Sequence, residues 1–168
     1  MRHAIRLLMA WLAIWITMQA HAAAPIPEPL REWQAWVMQG QEFRACPFLA
    51  TRTPGDASAH ICAWPGALSL DLGATGGSFR QRWQVHADSW VRLPGSLEHW
   101  PRDLRLNGAT AAVVAREGVP QVFLPPGTHE ITGRFAWDTR PEQLPVPAQT
   151  AIVQLTLDGR AVAQPERP

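Results

Sequence analysis

The chain has 168 residues, with 15 basic and 14 acidic side chains and a formal net charge of +1. That length is enough for one domain with a real core. So even a balance does not imply nucleic acid or an anionic surface as a partner, since those call for a concentrated basic patch, and no nucleic acid is expected. Every basic residue is Arg, and Lys and Tyr are absent. GC-rich coding accounts for that bias without a functional cause.

The first 22 residues have the three parts of a secretory signal. Arg2, His3 and Arg6 form a basic start, Leu7 to Met18 an apolar run, and Ala20-His21-Ala22 a small-x-small cleavage site. The run is too short to span a bilayer, which takes about 20 apolar residues. Cleavage after Ala22 is expected, with a periplasmic or otherwise exported product that keeps no membrane span. Loss of Arg2 and Arg6 with the signal would bring the net charge from +1 to −1.

Cys46 and Cys62 are the two cysteines. Behind an export signal they are expected to pair. A zinc site would need four ligands in tight pairs, and only His60 stands close to either cysteine. No metal or cofactor is expected.

Residues 23–42 read as a proline-spaced linker followed by a short helix. Pro29 suits the first turn of a helix over Leu30 to Gln39, and Gly40 suits its end. Leu30, Trp33 and Val37 repeat at helical spacing. Residues 43–168 read as one all-β domain, a β-sandwich or jelly roll. Phe43 to Leu49 predicts a first strand, at an edge because of Pro47. Thr51 to Ala59 predicts a loop. Ile61 to Trp64 returns towards the first cysteine and stops at Pro65-Gly66.

Leu68, Leu70 and Leu72 then alternate with Ser69 and Asp71. After the Gly73–Gly77 turn, Phe79, Trp83, Val85 and Ala87 share a face, and Gln81 is the misfit on it. Arg80, Arg82, Gln84 and His86 share the other face. Trp90 to Leu93 continues beyond a bend at Asp88-Ser89 and stops at Pro94-Gly95. From Leu104 to Trp137, apolar runs separated by Asn107-Gly108, Glu117-Gly118 and Pro126-Gly127 predict a β-meander. Within it Ile131, Gly133, Phe135 and Trp137 share one face against Glu130, Thr132, Arg134 and Ala136 on the other. Asp138 to Thr150 reads as a crossover loop, and Asp158-Gly159 as a hairpin turn between a strand ending at Leu157 and one starting at Arg160.

Chemistry-bearing motifs are absent. Gly73 to Gly77 has no following helix and no Lys, so it is a turn and not a phosphate cradle. No Gly-x-Ser-x-Gly elbow occurs. His60, His86, His99 and His129 are scattered. Asp71, Asp88, Glu98, Asp103, Glu117, Glu130 and Asp138 could supply paired acids for glycoside cleavage, but turns and wet strand faces are where acids belong by default. Trp90 and Trp100 flank a loop and could form a sugar-stacking platform. Arg80, Arg82 and Arg92 could add a basic stripe for an anionic glycan or a partner's acids.

Several motifs resemble the N-terminal region of long, uncharacterised exported proteins of Gram-negative bacteria. They are Glu32-Trp33-Gln34 with Gly40-Gln41-Glu42-Phe43, Cys46-Pro47-Phe48, Cys62-Ala63-Trp64-Pro65-Gly66 and Gln81-Arg82-Trp83-Gln84-Val85. Further along are Leu124 to His129, Gly133-Arg134-Phe135-Ala136-Trp137 and Leu157-Asp158-Gly159-Arg160. The resemblance implies a β-rich module in the cell envelope and supplies no site residues. Those relatives continue beyond the point matching Pro168, so the domain is expected to be incomplete and its partner to include the remainder of a longer chain. The leading expectation is a non-catalytic module with a structural or interaction role towards a protein or glycan. A carbohydrate-binding module is the alternative, and a glycoside-active enzyme fragment a distant third.

Overall fold

The computed structural model describes residues 26–49 and 57–166. The expected signal segment and most of the Thr51–Ala59 loop lie outside the described residues. The chain divides into two compact units with the boundary after Gln39.

Among the described residues of the first unit there is one helix, α1 (Glu28–Val37). It lies two residues earlier at each end than the sequence predicts. Pro29 occupies its first turn, where a missing N–H costs no intrahelical bond. The Met38 and Gln39 amides close its end on the Gln34 and Trp36 carbonyls. Within it the Trp33 and Trp36 rings meet edge to face, 6.2 Å apart.

The second unit is an all-β sandwich. Its strands are β1 (Ala63–Leu72), β2 (Gly76–Val85), β3 (Ser89–Arg92), β4 (Arg102–Leu106), β5 (Ala109–Thr110), β6 (Val114–Arg116), β7 (Val119–Leu124), β8 (Gly127–Ala136), β9 (Val153–Leu157) and β10 (Arg160–Val162). Seven form the larger sheet in the order β10-β9-β1-β2-β8-β4-β5, and β3-β7-β6 form the smaller one.

The period-2 alternation decides which side chains lie between the sheets. Leu68, Leu70 and Leu72 of β1, Phe79, Trp83 and Val85 of β2, and Ile131 and Phe135 of β8 are buried there. Val91 of β3 and Val122 and Leu124 of β7 meet them from the smaller sheet in one continuous cluster.

Gln81, the misfit, is also buried on this face. Its Nε2 donates to the Gly66 carbonyl and the Thr150 hydroxyl, both at 3.1 Å. Gly66 lies where the β1–β2 register shifts between Pro65 and Leu68. A bulge leaves a residue out of the ladder, and the amide nitrogen of Gln81 is satisfied there, while its buried Oε1 has no partner among the described residues. Pro65-Gly66 is therefore an irregularity inside β1 and not the stop that the sequence predicts there.

Two further expectations are corrected. Phe43 to Leu49 is not a strand: Glu42–Ala45 forms a 3-10 turn, and Phe48 makes only a single bridge to His60. The Phe43 and Phe48 rings gather on the His60 imidazole at 5.2 and 5.5 Å, and its Nδ1 lies 3.0 Å from the Cys46 carbonyl. That compact cluster satisfies the segment without a sheet. The meander also fails. β5 stays in the larger sheet while β6 enters the smaller one, and β8 pairs with β2 and β4 instead of β7. The hairpins β4–β5 and β6–β7 do form.

The Cys46–Cys62 disulfide is present and joins the segment before the sandwich to the entry of β1. β9 pairs with β1 in parallel, Leu68 opposite Val153 through Leu72 opposite Leu157. The crossover that permits this runs from the end of β8 to Ile152 and contains the buried Thr150.

Candidate functional site

The outward face of the larger sheet is polar. Strand pairing fixes which side chains meet there, because directly opposed residues point to the same side. One row crosses the sheet as Gln154 (β9), Ser69 (β1), Arg80 (β2), Thr132 (β8), Arg105 (β4) and Thr110 (β5). The next runs Thr156, Asp71, Ser78, Arg134 and Arg102. Together these rows, Arg102 apart, line an open groove of about 700 Å³. Asp103, at φ +50° within the irregular stretch of β4, adds a second carboxylate to it.

The arginines of this face are exposed and have no acidic partner among the described residues. Among the described residues two ion pairs form, Arg92–Glu117 and Arg140–Asp158, each at 2.7 Å, and neither lies in the groove. Arg105 donates to the Gly108 carbonyl at 2.9 Å. Arg80, Arg82 and Arg134 make no side-chain hydrogen bond to a described residue. Ser69 donates to Gln154 Oε1 at 3.1 Å and so orders the neutral end of the first row.

The expected platform is divided between the two sheets. Arg80 and Arg82 stand on the outward face of the larger sheet. Trp90 and Arg92 belong to β3 of the smaller sheet, with the core between the two. Trp100 is half-buried in the loop before β4 and makes no ring contact with Trp90. Trp90 instead meets Phe123, opposite it on β7, at 5.5 Å, and Arg116 lies over the indole 4.4 Å from its centre. One face of Trp90 is thus covered by a cation held on its ring electrons. Arg92 is bound to Glu117.

Sequence reasoning missed the joining of Arg80 to Arg105 and Arg134. Alternation places Thr132 and Arg134 on a wet face, yet no local signal says that β8 lies beside β2. The histidines do not assemble. His129 is buried, with Nε2 2.8 Å from the Pro125 carbonyl and Nδ1 3.3 Å from the Asn107 amide nitrogen. His99 lies edge-on to Trp137. Among the described residues no three His, Cys, Asp or Glu side chains gather in a group that could hold a metal ion.

No family model and no curated protein matches the chain. Among solved structures, it is similar in part to an M1 zinc metallopeptidase from Deinococcus radiodurans, with 16% identity, a TM-score of 0.35, and coverage of 49% of this chain and 21% of that one. A mutant of that metallopeptidase bound to a Tyr-Ser-Ala substrate gives 12% identity and a TM-score of 0.35, covering 58% of this chain and 32% of that one. The chain thus spans about a fifth to a third of the length of these structures. Likeness of this degree carries no argument about activity.

Proposed function

We propose that the chain is an exported, non-catalytic interaction module of a cell-envelope protein, and that its contact surface is the outward face of the larger sheet. The observation that carries this reading is the set of exposed arginines, Arg80, Arg105 and Arg134, in a groove without an ion pair. A guanidinium offers five donors in a fixed fork and suits an anionic group of another molecule. The basic start and apolar run before Ala22 support export. The Cys46–Cys62 disulfide suits an oxidising compartment. No described helix is long and apolar enough to cross a membrane.

The test is fractionation of the full chain expressed with its own leader in a Gram-negative host. Wild-type protein is expected to sediment with the envelope and to be released by salt, since exposed charge contacts are screened. The double variant Arg80→Glu/Arg134→Glu is expected in the soluble fraction. Identical distributions for both proteins would overturn the contact surface. Sustained hydrolase turnover by the purified chain would overturn the non-catalytic reading.

A further inference from the structure

We infer that the groove binds an acidic glycan whose carboxylates are separated by neutral sugars. This rests on the reading of the same face as a contact surface and names its ligand. The geometry begins at Thr132. Arg80 on β2 and Arg105 on β4 are both paired with it, one on each side, and Arg134 follows two residues along β8. Neighbouring strands lie about 4.8 Å apart, so the Arg80 and Arg105 backbones stand about 10 Å apart across the groove. Three cationic arms therefore surround one hydroxyl, each able to take a carboxylate through two parallel N–H···O bonds.

The rest of the groove decides between classes of polymer. Ser69, Ser78, Thr110, Thr156 and Gln154 are neutral donors and acceptors, the complement of sugar hydroxyls. Its apolar lining residues, Leu70, Phe79 and Leu104, are buried members of the core and offer no anchor. Protein interfaces draw most of their energy from buried aromatic and apolar anchors. An acidic peptide would find none here, whereas the hydroxyls and acids of a glycan are met by the polar side chains present.

Asp71 and Asp103 set the charge density. They share the groove with the three arginines, and would repel a polymer with an anion on every unit. On a chain whose acids alternate with neutral sugars, the same two carboxylates accept hydrogen bonds from hydroxyls between the charges.

Calorimetric titration of the full chain with an octasaccharide of alternating glucuronate and N-acetylglucosamine tests this, with a neutral chitin oligosaccharide and a poly-glutamate peptide as controls. The acidic octasaccharide is expected to bind and the neutral one not to. Arg80→Ala and Arg134→Ala are each expected to weaken binding about tenfold, the scale of one lost charged hydrogen bond. Both side chains are exposed, and an unchanged melting curve will show that the variants fold. Preferential binding of poly-glutamate with the same arginine dependence would overturn the glycan but keep the contact surface. Glycan binding indifferent to the arginines would overturn the site. Absence of binding to all three probes would overturn the inference, and the contact surface falls with it only if the fractionation also shows no difference between wild type and variant.

Discussion

Gly133 faces the core of β8 directly opposite Phe79. A Cβ at this position would lie 2.6 Å from Phe79 Cζ and 3.3 Å from Leu104 Cδ1. The ring lies over the bare glycine and tilts against Phe135 at 5.4 Å. Gly133→Ala is expected to destabilise the domain by about 1–3 kcal/mol through overpacking. A lower urea midpoint at unchanged slope would show it. Glu42 is a smaller case at the surface. Hydrogen bonds from its own amide and from the Gly40 amide, the latter 3.0 Å away, hold its carboxyl below the usual carboxylate range. Its contribution is full above its unfolded value and is lost as pH falls through the lower folded one. Titration followed by NMR is expected to place Glu42 below the ordinary glutamate value.

At the scale of elements, the disulfide tests the segment that failed to become a strand. Its cysteines are 16 residues apart, and closing a loop near that length stabilises a fold by about 3 kcal/mol in the chain-entropy model. Reduction is expected to lower stability by about 2–4 kcal/mol, read as a shift of the denaturation midpoint in reductant. The same segment shows the limit of the sequence reading. Phe43 and Phe48 resemble strand residues because they are apolar, but what organises them is His60 and the cysteine, which local pattern cannot bring near. Turns were legible where chemistry dictates them. Asn107-Gly108, Glu117-Gly118 and Asp158-Gly159 all have positive φ at both positions, as two-residue hairpin turns require. Faces were legible too, since Leu68, Leu70 and Leu72 are all inside. Partners were not. Alternation assigns a side of a sheet and is silent about the neighbour, so the departure of β6 from β5 and the joining of Arg80 to Arg105 and Arg134 had no signal in the chain.

For the whole molecule, the groove and the Trp90 cluster stand on opposite sheets and are expected to behave independently. Trp90 packs against Phe123 and Arg116. Trp90→Ala is therefore expected to lower the melting temperature and to leave glycan titration at the groove unchanged. A loss of affinity at unchanged stability would reassign the binding face.

The parallel pairing of β1 with β9 bears on the order of events during synthesis. Ser69 and Gln154, hydrogen-bonded neighbours, are 85 residues apart in the chain. A ribosome must therefore pass Leu157 before β1 can acquire its second partner, and until then one side of a central strand stays open. Long-range closure of this kind slows folding. A chain that finishes its sheet last keeps an unpaired strand edge open until its C-terminal strands are available to close it. Nascent chains stalled before residue 150 are expected to remain protease-sensitive throughout β1, and those extended past Val162 to become resistant.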